Sequence, residues 1–312
     1  MRQIKSTGIP LRTRVLRNWQ CYVFLLLPVA YLLIFKYIPM LGVQIAFKKY
    51  SFKDGIWGSP WVGLKNFTRF LNNRMFVRTF VNTIRLSLYS ILAGFPFPIL
   101  FALALNSVER LRLRKTLQTI TYIPHFISTV VLVGIINQLF HNTTGLYGVL
   151  GRLLTGEKPA DLFASPTVFV NLYVWSGVWK SFGWSSILYL ACLGNVSAEQ
   201  MEAAEIDGAN RLQRVWNIEL PALTATIVIQ LILRMGSVMN IGFEKVILMQ
   251  NDLNLRMSEV ISTYVYKQSL GATTRADYSY STAIDLFNAL INTFFIVCVN
   301  KISSRVSDVS LW

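Results

Sequence analysis

Two long apolar segments of the chain flank the polar stretch Glu-Ala-Ala-Glu-Ile-Asp-Gly-Ala at residues 202–209, which continues to Ile-Glu-Leu-Pro at residues 218–221. Ser197 followed three residues later by Gln200 is a capping-box pattern, so it predicts that a helix starts at Ser197. Gly208 permits a left-handed turn and should end that helix. The stretch is therefore predicted to begin with a polar helix that lies outside the lipid.

A second short helix is predicted directly after Gly208. Asn210 can cap it, with Gln213 in the third position of the helix. Pro221 fits the first turn of the next membrane helix, where a missing N–H loses no hydrogen bond. The unit would then be a helix, a tight turn and a second helix, tied to the membrane at both ends.

The composition predicts an integral membrane protein. Of the 312 residues, 53% are hydrophobic and 14% are charged, whereas a soluble domain has about 25% charged residues. The net charge is +15. Because the basic residues lie in loops beside apolar spans, membrane lipid is the expected partner and nucleic acid is not. The three cysteines lie in apolar segments and there are two histidines, so neither a disulfide framework nor a metal site is predicted.

Six membrane spans are predicted from the apolar segments. Residues 1–18 contain five basic residues and no acidic one, and the apolar run after them has no small-residue cleavage site. We therefore interpret residues 1–18 as a cytoplasmic N-terminal tail and residues 19–312 as a transmembrane domain, with a first membrane helix rather than a signal peptide at its start. The predicted spans are roughly 21–47, 80–105, 117–140, 166–193, 221–248 and 281–300.

Six spans would place both termini and the loop at residues 194–220 in the cytoplasm. The distribution of Lys and Arg supports this orientation only weakly, since the proposed inside and outside segments contain nearly equal numbers of them. The N-terminal tail and the dense basic cluster at residues 110–115 favour the inside. The orientation of the chain in the membrane therefore depends on which side the loop at residues 194–220 lies.

The polar stretch resembles the signature loop of permease subunits of binding-protein-dependent ABC importers, in which Glu-Ala-Ala, Gly and Ile-x-Leu-Pro recur at fixed spacing. All of these positions match. An isolated Glu-Ala-Ala would fit a solvated helix, but the full gapped pattern favours the family loop. In that family the loop is cytoplasmic and docks as a coupling helix on the ATPase subunit. The resemblance implies that the ATPase-coupling residues are Glu202, Ala203, Ala204, Asp207, Gly208, Ala209, Arg214, Leu220 and Pro221.

Each residue type in this loop has a physical reason. Small alanines allow a partner to approach closely, Gly208 makes the bend, and Glu202 or Arg214 can fix the helices by charge. Further stretches resemble the branch of sugar permeases that imports oligosaccharides of complex polysaccharides, including alginate and pectin fragments. They are residues 36–40, 46–48, 260–266 and 278–283, whereas residues 62–67 resemble a stretch that is common in sugar-importing permeases in general.

The resemblance covers nearly the whole chain. It implies an all-α membrane protein with six transmembrane helices of the type I ABC importer permease kind, in the bacterial cytoplasmic (inner) membrane. The implied partners are a second permease subunit, two ATPase subunits and an extracytoplasmic solute-binding protein. The chain has no Gly-x-x-x-x-Gly-Lys-Ser/Thr loop, so ATP and Mg²⁺ are expected in the ATPase subunits and no cofactor in this chain. No catalytic residues are predicted, because no Ser-His-Asp set or paired-His motif is present.

The fifth span suggests a substrate path. Gln230, Arg234, Ser237, Asn240 and Glu244 would lie within an arc of roughly 120° on one continuous helix. A charge at membrane depth costs on the order of 3 kcal/mol unless it faces a partner or a water-filled cavity. The stripe therefore favours a path-lining face. The alternative is a structural network, in which the two charged residues pair with other helices.

The fourth span adds Trp175, Trp179 and Lys180 to the substrate path, with Trp184 close by. Aromatic rings can stack on sugar rings, and Lys can bind hydroxyls or uronate carboxylates. The alternative is an aromatic belt or simple helix packing. Basic residues within the spans make an anionic oligosaccharide plausible, although a neutral sugar permease can also contain structural cations.

Two other polar features remain open. In the sixth span, Asp285, Asn288 and Asn292 share a face, which favours hydrogen bonds between helices over a role in the path. In the second span, Arg85 could line the pore or could snorkel to the interface.

Two rival functions are considered. An ATP-independent secondary transporter would also have charges within the membrane, but it predicts an internal repeat that the sequence does not show, and it gives the polar loop no role. A membrane enzyme acting on lipid or glycan would need clustered acids or histidines at a membrane face. The acids at residues 199–207 are explained equally well by a docking helix.

Overall fold

The computed structural model describes residues 17–271, 276–306 and 310. Within this part of the chain the secondary structure is helical, apart from one isolated antiparallel bridge between Lys48 and Trp61. The predicted all-α fold is confirmed. Arg2, Lys5, Arg12 and Arg14 of the predicted tail lie outside the described residues.

The α-helices, numbered in chain order, are α1 Trp19–Leu32, α2 Ile38–Met40, α3 Gly55–Gly58, α4 Lys65–Leu71, α5 Arg74–Gly94, α6 Pro96–Asn106, α7 Leu111–Tyr122, α8 Thr129–Phe140, α9 Leu146–Thr155, α10 Pro166–Leu193, α11 Ala198–Ile206, α12 Arg211–Arg214, α13 Leu220–Met235, α14 Phe243–Met249, α15 Leu255–Ser258, α16 Ile261–Ser269 and α17 Tyr278–Val306. Short 3₁₀ turns cover Leu41–Phe47, Ile123–Phe126 and Leu162–Ala164, and π turns cover Leu33–Tyr37 and Val215–Glu219.

Four helical stretches of the described chain are long and apolar enough to cross a membrane: Trp19–Phe47, Arg74–Asn106, Arg211–Met235 and Tyr278–Arg305. A fifth is added if the bent pair of α7 and α8 counts as one span. Helix α10 has 28 residues and is long enough, but its serines, tryptophans and Lys180 make it less apolar. The six predicted spans all fall on these helices, and their number stays a prediction.

The third predicted span, residues 117–140, is not a straight helix. The chain bends by 98° between Leu111–Phe126 and Thr129–Phe140. Pro124 has no N–H with which to continue the α-helix, and Ser128 caps the next helix by accepting a hydrogen bond from the Val131 N–H at 3.2 Å. The predicted third span therefore consists of two helices set at an angle.

The fifth predicted span, residues 221–248, is also interrupted. Helix α13 ends at Met235, and the backbone is non-helical until α14 starts at Phe243. A Cβ atom at Gly236 would lie 2.8 Å from Cδ1 of Ile296, so a side chain here would have to displace Ile296 of α17. The prediction of a continuous helix was wrong, because contacts with α17 fix the end of α13.

The core lies between α10 and the helices that pack on it. Phe169, Tyr173 and Val174 of α10 pack with Leu86 of α5 and Val133 of α8. A second cluster joins α6, α10 and α13, and a third joins α4, α16 and α17. Helix α1 is different, because none of its residues is buried. A helix that is apolar on all sides and packs on nothing in its own chain must meet lipid or another subunit.

Candidate coupling loop and substrate path

The polar loop folds as a helix, a turn and a helix. Helix α11 starts directly after Ser197, as predicted, but the Ser197 side chain makes no capping hydrogen bond. Gly208 has φ +74°, which confirms the left-handed stop. The Ala209 N–H then donates to the Ala204 carbonyl at 2.9 Å and closes the turn.

The predicted cap of the second helix is confirmed. The Gln213 N–H donates to Asn210 Oδ1 at 2.9 Å, and the Asn210 N–H donates to Gln213 Oε1 at 2.7 Å. The sequence suggested that this helix is separate from the membrane helix that contains Pro221. In the structure the two are continuous. The second helix continues through the π turn Val215–Glu219 into α13. The wider π turn accommodates the missing N–H of the proline, so the loop is joined to the membrane helix without a break.

One ion pair links the two helices of the loop. Arg214 donates from Nη1 to Oε1 of Glu205, whereas the sequence suggested Glu202 or Arg214 as the fixing charges. Glu202 is exposed and forms no ion pair with a described residue. The sequence did not predict Glu205 as the partner of Arg214, because the two residues meet only when the turn at Gly208 brings α12 back against α11.

Four of the predicted coupling residues line one cleft of about 580 Å³: Ala203, Ala204, Asp207 and Pro221. Glu202, Gly208, Ala209 and Arg214 lie in the same loop but do not line this cleft, and Leu220 packs against the core cluster of α6, α10 and α13. Three exposed apolar side chains of the loop were not among the predicted coupling residues: Ile206, Leu212 and Trp216.

A buried acid fixes the loop to the membrane helices. Glu219 is 4% exposed, and its Oε1 accepts a hydrogen bond from Asn106 Nδ2 at 2.9 Å. Asn106 ends α6. This hydrogen bond therefore ties the end of the loop to the long helical stretch Arg74–Asn106.

The predicted substrate path centres on the break at residues 236–242. Arg234, Ser237 and Asn240 line one cleft of about 210 Å³ together with Tyr173 and Ser87. They meet there because the chain leaves the helix, not because they share a continuous helical face. Val238, Met239 and Ile241 point inward and are buried. Non-helical backbone at membrane depth is tolerated only where protein buries it or where it lines a cavity, and this segment does both.

Arg234 belongs to two clefts. The second cleft, of about 390 Å³, is lined by Gln230, Arg234, Trp184 and Tyr189, among others. The guanidinium also lies 5.8 Å from the centre of the Phe95 ring. Arg234 forms no ion pair with any described residue, so its charge faces the clefts without a counterion from this part of the chain.

The other predicted path residues are not in these clefts. Trp175 Nε1 donates to the Tyr89 hydroxyl at 3.0 Å, which supports the packing alternative for this residue. Trp179 is exposed and Lys180 half-buried, and Glu244 is exposed at the start of α14. Glu244 does not pair with Arg234, as the separation along the chain indicated.

Three residues near the path were not among the predicted path residues. Lys245 Nζ donates to the Tyr173 carbonyl at 2.6 Å and lies 4.6 Å from the centre of the Tyr173 ring. Trp184 stacks on His125 with ring centroids 4.6 Å apart. Asn292 accepts a hydrogen bond from the Met239 N–H at 2.9 Å, which confirms the predicted hydrogen bonding between helices for this residue.

Comparison with known protein families decides what kind of protein this is. Residues 94–308 match the family of binding-protein-dependent transport system inner membrane components. The chain belongs to this family. This permease is thus a multi-pass inner-membrane component of a transport system, and its recognition from the loop at residues 202–221 is confirmed.

The permease has relatives along its whole length. It is 41% identical to protein LplB of Bacillus subtilis over 98% of this chain and 95% of that protein. It is 36% identical to the polygalacturonan/rhamnogalacturonan transport system permease protein YteP of the same organism, over 96% and 92% of the two chains.

The permease is also similar to a chain of a bacterial ABC transporter involved in the import of the acidic polysaccharide alginate. The TM-score is 0.85 at 35% identity, covering 95% of this chain and 99% of that one. The same alginate transporter in complex with an alginate pentasaccharide-bound periplasmic protein gives a TM-score of 0.86 at 34% identity.

Proposed function

We propose that this permease passes an acidic oligosaccharide across the inner membrane as part of an ATP-driven ABC importer. The observation that carries the proposal is Arg234, an unpaired cation that lines both clefts beside the broken fifth span. The relatives that transport polygalacturonan or alginate support an acidic substrate. Arg binds carboxylates through paired hydrogen bonds, which makes it suited to uronate residues.

The charges within the spans support the same substrate class. Arg85, Lys180 and Lys245 form no ion pair with a described residue. An unpaired cation at membrane depth is costly unless it faces water or an anion. A carboxylate-bearing sugar that passes along these side chains would supply that anion, and neutral sugars would not.

The coupling loop gives this permease a route to the ATPase subunits. We assign the ATPase-coupling role to Glu202, Ala203, Ala204, Asp207, Gly208, Ala209, Arg214, Leu220 and Pro221, with the cleft at Ala203 and Pro221 as the contact surface. ATP and Mg²⁺ would bind to two partner ATPase subunits. Closure of the ATPase dimer would move α11 and α12 as a rigid unit, and Glu219 and Pro221 transmit that motion to the membrane helices.

The remaining partners follow from the surface of the chain. Helix α1 buries none of its residues against its own chain, which supports a second permease subunit as its neighbour. With six spans, both termini and the coupling loop face the cytoplasm, and the opposite face receives the solute-binding protein. The path residues in this proposal are Trp175, Trp179, Lys180, Gln230, Arg234, Ser237, Asn240 and Glu244.

The proposal is tested by uptake into proteoliposomes that contain the complete importer and its binding protein. The probes are trigalacturonate and its methyl ester, which removes the charge and keeps the sugar. We expect Arg234→Gln to lower uptake of trigalacturonate at least tenfold, because a charge-assisted contact is worth roughly 1.5–3 kcal/mol. Arg112→Gln serves as the control, because Arg112 is exposed and lies outside the coupling loop and both clefts. Unchanged trigalacturonate uptake in Arg234→Gln would contradict the proposal.

A further inference from the structure

A second cationic cleft lies beside the first half of α5, away from the broken span. Arg78 and Arg85 of α5 line it together with Arg256 of α15, and Asn82 and Val81 lie between them. Its volume is about 530 Å³, within the roughly 300–1,000 Å³ of small-molecule sites. Three arginine residues therefore line a space large enough for a sugar ring.

Buried hydrogen bonds hold the two sides of this cleft together. Asn82 is 5% exposed, and its Nδ2 donates to the carbonyls of Arg256 at 3.1 Å and Glu259 at 3.0 Å. The Thr83 hydroxyl accepts from the Ile261 N–H at 3.0 Å. These hydrogen bonds fix the backbone of Arg256 against α5, although the two are far apart in the sequence. The two walls of the cleft are therefore held together by buried contacts.

The cleft carries more positive charge than the described chain neutralises. Glu259 is the acid beside it, and its Oε1 accepts from Lys267 Nζ at 3.1 Å. Its Oε2 lies 3.8 Å from Nε of Arg78, which makes no hydrogen bond. Arg85 and Arg256 are exposed and form no ion pair with a described residue.

The cleft lies at the opposite end of the second span from the coupling loop. Arg78 and Arg85 belong to the first half of Arg74–Asn106, whereas Asn106 at the other end bonds to Glu219 of the loop. Arg85 lies about five residues inside the predicted second span, which begins near residue 80, or about 8 Å along the helix axis. An exposed cation within a span is costly unless it faces water or an anion, or reaches the interface.

We propose that this arginine cleft, formed by Arg78, Arg85 and Arg256, binds uronate carboxylates of the oligosaccharide as it leaves the binding protein, before it reaches Arg234. This inference rests on the proposed function. The forked guanidinium group suits a carboxylate, and two of the three groups have no acidic partner in the described chain. A neutral sugar would leave both charges uncompensated.

The test compares uptake of trigalacturonate and its methyl ester by the complete importer in proteoliposomes, for wild type, Arg85→Gln and Arg256→Gln. We expect each variant to lower uptake of trigalacturonate at least fivefold and to change uptake of the ester less than twofold. Arg74→Gln is the matched control, because Arg74 is exposed at the start of the same helix and does not line the cleft.

Several outcomes would overturn the inference. Equal loss for both probes would indicate a structural role, and loss that appears only in liposomes with anionic lipid would indicate a lipid site. Loss of co-purification of the second permease would indicate a subunit interface. If wild type transports trigalacturonate but both variants match it, only the cleft assignment fails. If wild type transports neither probe, the proposed function itself fails.

Discussion

Asn292 of α17 donates a hydrogen bond from Nδ2 to Oδ1 of Asn240 at 3.2 Å, across the break that separates α13 from α14. The Asn292 Oδ1 also accepts from the Met239 N–H at 2.9 Å. One side chain therefore satisfies two polar groups of a segment whose backbone forms turn hydrogen bonds, such as that of the Asn240 N–H with the Ser237 carbonyl at 2.9 Å, rather than a continuous helix. Because Asn240 lines the cleft beside Arg234, the shape of this cleft depends on this contact.

Asn292→Ala should destabilise the complex and impair transport. The substitution leaves the N–H of buried Met239 without a partner, which costs about 1–3 kcal/mol. Thermal unfolding of the purified complex and uptake by proteoliposomes measure the two effects. Thr293→Ala is the control, because the exposed Thr293 bonds only to the Ala289 carbonyl of its own helix. If both variants behave alike, Asn292 does not hold the break.

Gly208→Ala should weaken coupling between ATP hydrolysis and transport. A Cβ at Gly208 would have nothing within 4 Å, so the cost comes from the backbone at φ +74° and amounts to about 1–2 kcal/mol for a residue with a side chain. ATPase activity stimulated by loaded binding protein measures the effect.

Two comparisons sharpen this test. Gly208→Asn should retain more coupling than Gly208→Ala, because Asn adopts the left-handed conformation more easily. Gly194→Ala should have little effect, because Gly194 has φ −65° and a Cβ there makes only ordinary contacts. Equal activity of Gly208→Ala and wild type would show that the turn does not need this conformation.

Arg214→Glu should uncouple the importer, and the exchange of both charges should restore coupling. The ion pair of Arg214 with Glu205 is partly exposed, so its net stability is modest, about 0.2–1 kcal/mol. Two acids side by side would push α11 away from α12 and distort the docking surface. Stimulated ATPase activity of Arg214→Glu, and of Arg214→Glu with Glu205→Arg, measures this.

Arg211→Glu controls for the change of net charge, because Arg211 is exposed on the same helix and forms no ion pair with a described residue. Failure of the double exchange to recover activity would mean that Arg214 contacts the ATPase subunit directly rather than fixing the loop.

The sequence was a good guide wherever neighbouring residues decide the structure. Gly208, Asn210 and Gln213 set the turn and the cap of the loop through contacts within a few residues, and these features were predicted correctly. The recognition of the family depended on the same local spacing. The membrane helices were located well for a similar reason, since their apolar segments are continuous in the sequence.

Features that depend on distant contacts could not be predicted in the same way. The break after Met235 is set by the approach of Gly236 to Ile296 and by the hydrogen bonds of Asn292. Helical spacing therefore grouped Arg234, Ser237 and Asn240 with Glu244, whereas the folded chain brings the first three together with Tyr173 and leaves Glu244 outside. The arginine cleft joins α5 to α15, which no periodicity along the chain reveals.

The most direct test of the account is the ATPase activity of the importer purified through a tag on this permease. The activity is measured with binding protein that is empty, loaded with trigalacturonate or loaded with its methyl ester. The account predicts that ATPase subunits co-purify, that trigalacturonate-loaded binding protein stimulates hydrolysis, and that Arg234→Gln reduces this stimulation while Arg112→Gln does not. A permease that purifies alone and transports trigalacturonate without ATP would contradict the account.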